Sequence, residues 1–179
     1  MDNEFELMKN VYFKPWVGKF YEKDGCFNKR VMILGDSHYC GESCFEECGK
    51  VVCKKPTITS DVINDFISSS KTGYFEPFMN TFTHFERAVF NKELSQQEKE
   101  TFWNSVVFYN YLQRALAGPG IVPDSNLYAE SFDAFKEVIE MYKPEVIIAW
   151  GIGEMRLFRQ LPEYNGKQAD PIIVDNEKY

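Results

Sequence analysis

The sequence has its clearest strand signal at Arg30-Val31-Met32-Ile33-Leu34-Gly35-Asp36-Ser37-His38-Tyr39. A continuous apolar run that is ended by a glycine is typical of a strand buried on both faces, as in a parallel sheet. The run is followed by a polar turn, Gly35–Tyr39. Because ligands of open parallel sheets bind beyond the carboxyl ends of the strands, we predict that this turn lies at a ligand-binding edge.

Other apolar runs alternate with helical patterns along the chain. The further strands are expected at 106–110, 146–150 and 171–174, and the helices at 61–67, 75–90, 96–103, 126–142 and 153–161. This alternation predicts an α/β protein with a mostly parallel sheet and helices on both faces. The length suits a single domain over 1–179, in which 1–29 is an irregular segment packed on the rest.

Polar residues and a proline mark the ends of three of these helices. Thr59 or Ser60 is expected to cap the helix at 61–67, and Ser95 with Glu98 has the spacing of a capping box. Pro144 is expected to end the helix at 126–142, because proline cannot continue a helix.

The composition is globular, with an acidic balance. With 44% hydrophobic residues the chain can bury a core, and its formal charge of −7 disfavours tight non-specific binding to nucleic acid. A local basic cleft remains compatible with that charge. No apolar run reaches the roughly 20 residues of a membrane helix, and the acidic N-terminus lacks a signal-peptide core. We therefore expect a cytoplasmic protein that binds no membrane; the sequence does not indicate its oligomeric state.

Polar residues stand at three predicted strand ends. The turn Asp36-Ser37-His38-Tyr39 offers an acid, a hydroxyl, an imidazole and a phenol, and groups of this kind activate water or transfer protons. Asn110 offers a donor and an acceptor that suit the edge of a nucleobase. Trp150-Gly151 ends the third strand. The structural alternatives are a capped turn for Asp36 or Ser37, an Asx turn for Asn110 and a tight strand-to-helix turn after Trp150.

Four of the five cysteines lie close together, at Cys40, Cys44, Cys48 and Cys53. Four thiolates can hold zinc or an iron–sulfur cluster, but this spacing is not a common ligand pattern. We therefore expect free thiols and no cofactor, as is usual in the cytosol. His84 lies among apolar residues of a predicted helix and is read as structural.

Three motifs carry a family resemblance: Gly-Asp-Ser-His-Tyr at 35–39, Phe-Tyr-Asn-Tyr-Leu at 108–112, and Lys-Pro-Glu-Val-Ile-Ile-Ala-Trp-Gly at 143–151. Their order resembles the uracil-DNA glycosylase-like superfamily, and most closely an uncharacterised bacterial branch with a Gly-[Asp/Glu]-Ser-His-Tyr first motif. The resemblance implies a three-layer α/β/α sandwich around a four-stranded sheet. It also implies binding of a nucleobase, nucleotide or nucleic-acid end, and hydrolysis of an N-glycosidic bond in DNA repair if the protein is active.

The resemblance assigns roles to individual residues. It makes Asp36, Ser37 and His38 the catalytic candidates, since the water-activating Asp position of the family holds Ser37 and the acid stands one residue earlier. Tyr39 matches the tyrosine that walls the pocket, and Asn110 matches the asparagine that reads uracil. The ligand-binding candidates are Gly35, Tyr39, Asn110, Trp150 and Gly151. His38 replaces a proline, and the family's His-Pro-Ser turn has no counterpart in the sequence.

Two further functions stay open. An esterase of the SGNH type would use Ser37 as its nucleophile, but it needs a late Asp-x-x-His pair and no histidine follows His84. A non-catalytic module that kept the glycosylase fold would use the same cleft for binding alone, in keeping with the altered acid position.

Overall fold

The computed structural model describes residues 8–40, 55–150, 173–174 and 177–178. Its strands are β1 (Trp16–Val17), β2 (Val31–Gly35), β3 (Val106–Asn110), β4 (Val146–Ala149), β5 (Ile173–Val174) and β6 (Glu177–Lys178). Its helices are α1 (Ile58–Thr72), α2 (Met79–Phe90), α3 (Gln96–Trp103) and α4 (Ser125–Tyr142). Within these ranges, no helix is both long enough and apolar enough to cross a membrane.

The predicted mixed α/β content and four-stranded, mostly parallel sheet are confirmed. The strand order is β1-β3-β2-β4, with β2 parallel to both β3 and β4 and only β1 antiparallel to its neighbour. Gly35 is in register with Asn110, and Leu34 is in register with Ala149. The Trp150 amide then donates to the Leu34 carbonyl at 3.0 Å. The carboxyl ends of β2, β3 and β4 are therefore neighbours.

The fourth strand of this sheet comes from the segment that was predicted to be irregular. Trp16 and Val17 pair with Phe108 and Val107 of β3. The pairing is supported by the Trp16 indole N–H, which donates to the Trp103 carbonyl at 2.7 Å. Two paired residues are too few to show the alternation by which a strand is recognised in a sequence.

The prediction for 171–174 is wrong in its pairing. Ile173–Val174 is a strand, but it pairs antiparallel with Glu177–Lys178 in a separate two-stranded sheet. Residues 171 and 172 and the helix predicted at 153–161 lie outside the described residues.

Three of the four helices begin at different residues from those predicted, and two of them by three residues or more. α1 begins at Ile58, so Thr59 and Ser60 lie in its first turn, and Thr57 at the cap position makes no side-chain cap bond. α2 begins only at Met79. The capping box of α3 is confirmed, and α4 begins one residue before the predicted start and ends before Pro144.

The strands supply side chains to two separate apolar clusters, because successive residues of a strand point to opposite faces. One cluster joins alternate residues of β2 and β3 to α4; it includes Met32, Leu34, Val107, Tyr109, Phe135 and Val138. The other joins the intervening residues to α1, α2 and α3; it includes Val31, Ile33, Phe108, Phe66, Phe82 and Trp103. Burial of each large side chain contributes about 1.5–3 kcal/mol, so these clusters hold the strands in register.

The two helix starts allow a matched test of capping. Ser95→Ala is expected to lower the free energy of unfolding by about 1 kcal/mol, because the Ser95 hydroxyl accepts from the Glu98 amide at the start of α3. Thr57→Ala is the control, since Thr57 makes no side-chain cap bond. Urea unfolding followed by circular dichroism measures both. Equal losses in the two variants would contradict this role for Ser95.

Candidate functional site

The polar turn after β2 is held against the chain that follows β3. The amides of Tyr111 and Leu112 donate to the carbonyls of Gly35 and Asp36, each at 2.9 Å. The amide of Leu116 donates to the His38 carbonyl at 2.8 Å, and Tyr39 bridges to Leu116. These backbone bonds continue the parallel pairing past the strand ends. The side chains of the turn are therefore presented from an ordered backbone.

Gly35 leaves the space in which the Asn110 side chain lies. A Cβ atom at Gly35 would stand 2.1 Å from Asn110 Oδ1 and 3.0 Å from Trp150 Nε1. Both distances are shorter than the usual contact of a Cβ atom, so a larger residue would displace the amide and the indole. Glycine is thus required by the close approach of three strand ends.

His38 lies buried against the same amide. Its Nε2 is 2.9 Å from Thr59 Oγ1, and Asn110 Nδ2 is 3.1 Å from its Nδ1 and 3.2 Å from its Nε2. The ring of Phe13 packs edge-on against the imidazole, with centroids 5.0 Å apart. Burial lowers the pKa of His38 from 6.5 to about 3. The imidazole is therefore neutral at physiological pH.

One acceptor and one donor are left over around Gly35. In the described part of the chain, no hydrogen bond reaches Asn110 Oδ1 or Trp150 Nε1. The Trp150 ring is held by aromatic neighbours, with centroids 4.9 Å from Phe82 and Phe85. An amide oxygen and an indole N–H therefore both lie within 3.0 Å of the point where a Cβ atom of Gly35 would stand. We call Gly35, His38, Thr59, Asn110 and Trp150 the amide–imidazole cluster.

Asp36 belongs to the opposite face of the sheet. Its carboxylate accepts a hydrogen bond from the Tyr128 hydroxyl at 2.8 Å, and Tyr128 lies in α4. Asp36 follows Leu34 in the alternation of β2, whereas Asn110 follows Phe108 of the other cluster. Asp36, the predicted acid, and Asn110, the amide predicted to read the base, thus lie at the same edge of the sheet. Their side chains point to opposite faces of it.

The remaining predicted residues contribute less to this arrangement. Ser37 is half-buried, and Tyr39 is exposed at the surface of the turn. His84 is exposed on α2.

The cysteine stretch lies mostly outside the described residues. Cys40 is buried and packs near Phe13, while Cys44, Cys48, Cys53 and the site candidate Gly151 are not among the described residues. Within the described ranges, no three metal-ligating side chains come together.

Four supporting residues were not assigned to the site from the sequence. The sequence predicts Thr59 only as a helix cap, and no local pattern assigns a role to Phe13, Gln113 or Tyr128. Gln113 Oε1 accepts from the Phe13 amide at 2.9 Å, and its Nε2 donates to the Asn110 carbonyl at 3.2 Å. These contacts join residues far apart in the chain, so neither spacing nor periodicity reveals them.

A separate groove of about 460 Å³ lies at the other end of the sheet. It is lined by Phe27, Phe90 and Leu94, and by Ser105, which immediately precedes β3. It contains no residue of the amide–imidazole cluster.

The chain was compared with protein-family models, curated proteins and solved structures, and none of them matches it.

Gly35→Ala tests the close approach at the strand ends. It is expected to lower the free energy of unfolding by about 1–3 kcal/mol, because the new methyl group overlaps the Asn110 amide. The control is Gly118→Ala, where an added Cβ would meet nothing within 4 Å. Denaturant unfolding of both variants measures the difference. A Gly35→Ala protein as stable as the control would show that the amide does not occupy this space.

The two histidines of the chain allow a matched test of His38 burial. The unfolded chain binds more protons than the folded one between pH 6.5 and about 3, so His38 weakens the fold as pH falls through that range. Between about pH 7 and 5.5, wild type is expected to lose about 1 kcal/mol more stability than His38→Gln. His84→Gln, at an exposed position, should behave as wild type. Urea titrations at both pH values measure this. Parallel behaviour of wild type and His38→Gln would contradict it.

Proposed function

We propose that the chain is a uracil-DNA glycosylase-like protein that binds a nucleobase, as part of a nucleotide or a nucleic-acid end, at the carboxyl edge of the sheet. One observation carries the proposal: Asn110 Oδ1 and Trp150 Nε1 stand together beside Gly35, and no hydrogen bond reaches either atom in the described part of the chain. An acceptor beside a donor complements a ring edge that carries an N–H next to a carbonyl oxygen.

The acid half of the proposed site is Asp36. Tyr128 binds one carboxylate oxygen, and the other accepts no hydrogen bond within the described ranges. A half-buried carboxylate held in this way can orient a water molecule as a general base. We propose that the base lies over Gly35 and that the sugar crosses the carboxyl edge of the sheet to reach Asp36 on the other face. Asp36 takes a proton from the water as its oxygen attacks the anomeric carbon, and the base leaves as an anion with the electrons of the N-glycosidic bond.

His38 has a supporting role in this proposal. It is buried, its pKa is lowered to about 3 by burial, and it contacts Thr59 and Asn110. A neutral ring with these neighbours is suited to hold the amide and not to exchange protons with a substrate. The esterase alternative loses support for the same reason, because His38 is engaged with Thr59 and Asn110 and His84 is exposed on α2.

The wider resemblance is proposed on the same basis. The two apolar clusters, one with α4 and one with α1 to α3, support the three-layer α/β/α arrangement that the resemblance implies. The buried thiol of Cys26 is in keeping with a cytosolic location, where thiols stay reduced.

Release of free uracil from single-stranded, uracil-containing DNA tests the proposal directly. Wild type is expected to release uracil, and Asp36→Asn to be slower by about 10²-fold or more, because an amide is a far weaker base than a carboxylate. Asp65→Asn is the control, since Asp65 is an exposed carboxylate on α1. Free base is measured by chromatography.

Two outcomes distinguish the alternatives. Binding of uracil by wild type without release would favour the non-catalytic module. A wild-type protein that neither binds uracil nor releases it would overturn the proposed function.

A further inference from the structure

We propose that Thr59 and His38 are positioning residues that fix the direction of the Asn110 amide, so that the site accepts only ligands with an N–H donor at that edge. The proposal rests on the proposed function in one respect, namely that the ligand is a nucleobase. In this proposal His38 and Thr59 determine which ligand is selected. The sequence made His38 a catalytic candidate only and gave Thr59 no role in the site.

The position of the amide shows which end is engaged. Asn110 Nδ2 lies within 3.2 Å of both ring nitrogens of His38, so the NH₂ group rests against the imidazole. The oxygen is the end that lies over Gly35, beside Trp150 Nε1. Rotating the amide by half a turn would exchange these two ends, and the site would then offer a donor in place of an acceptor.

The charge of His38 favours the observed direction. A neutral imidazole with its proton on Nε2 has a lone pair on Nδ1 that accepts from an amide N–H, whereas an imidazolium offers only N–H groups at its nitrogens and would attract the amide oxygen. His38 is 5% exposed and packs against Phe13, and burial holds its pKa at about 3. The neutral ring thus keeps the NH₂ end of Asn110 on its own side.

Thr59 holds the ring in place. Its hydroxyl is 2.9 Å from His38 Nε2, and the residue is fully buried in the first turn of α1. When Nε2 carries the proton and donates it to this hydroxyl, Nδ1 is left as the acceptor that the Asn110 NH₂ group requires. The imidazole is therefore fixed relative to α1, and through it the amide is fixed relative to β3.

The ligand class follows from the fixed oxygen. Asn110 Oδ1 requires a hydrogen-bond donor, and Trp150 Nε1 requires an acceptor next to it. Uracil offers this pair through its ring N–H and adjacent carbonyl. A ring that carries a methyl group on that nitrogen offers no donor and is rejected, because the amide oxygen would be left unpaired.

The first experiment uses the ligand-free protein. NMR of ¹⁵N-labelled wild type at pH 7 is expected to show a neutral His38, with one Asn110 side-chain NH₂ proton exchanging slowly with water. Thr59→Val should speed that exchange by roughly tenfold or more, and Thr59→Ser should restore it, because serine keeps the hydroxyl. Thr83→Val is the control, since the Thr83 hydroxyl donates to the Met79 carbonyl within its own helix α2.

The second experiment measures selection. Wild type is expected to bind uracil roughly tenfold or more tightly than 3-methyluracil by calorimetry. That ratio should fall toward one in Thr59→Val and return in Thr59→Ser, while Thr83→Val keeps it. A purely structural role for Thr59 would weaken both ligands equally and leave the ratio unchanged.

The two proposals fail in different ways. A protein that binds no uracil overturns the proposed function, and the NMR measurement still decides the positioning role. An imidazolium at His38 in wild type, or unchanged Asn110 exchange in a folded Thr59→Val, overturns the positioning role whatever the ligand results are.

Discussion

The packing of the Asn110 amide across Gly35 is the contact on which the whole edge of the sheet depends. It requires the parallel register that pairs these two residues, and it requires that Gly35 carry no side chain. In that register, the Trp150 amide continues the hydrogen bonding between β4 and β2 by donating to the Leu34 carbonyl. Its indole then lies beside Gly35 as well. The apolar clusters on the two faces stabilise this register, since a slip of one residue would move the strand side chains to the wrong faces.

The same alternation divides the polar residues of the edge into two groups with different surroundings. The imidazole of His38 is buried beside Phe13 and Thr59, where burial keeps it uncharged. The carboxylate of Asp36 stays half-exposed and is oriented by Tyr128 from α4. The buried, uncharged contact between His38 and the Asn110 amide suits ligand recognition. The more exposed carboxylate of Asp36 suits the binding and orientation of water. One strand end thus supplies both kinds of environment within four residues of sequence, Gly35–His38.

The strands β2, β3 and β4, the helix α4 and the capping box of α3 could be predicted from the sequence, because each has a strong local pattern. The edge positions of Gly35 and Asn110 followed from the same strands. The short strand β1 could not be predicted, since its pairing is set by contacts to α3 and β3 and not by its own two residues. The roles of Thr59 and Tyr128 in the site could not be predicted for a related reason. Their partners, His38 and Asp36, lie 21 and 92 residues away in the sequence.

The indole of Trp150 differs from the other two indoles of the chain in a way that has an optical consequence. Trp16 donates its N–H to the Trp103 carbonyl, and Trp103 donates its own to Glu86, so both are engaged inside the protein. The Trp150 N–H has no such partner in the described part of the chain. A ligand that accepts a hydrogen bond from it would change the polarity at an indole whose ring also contacts Trp103. The protein therefore carries an intrinsic reporter of occupancy, whose emission responds to binding without any added label.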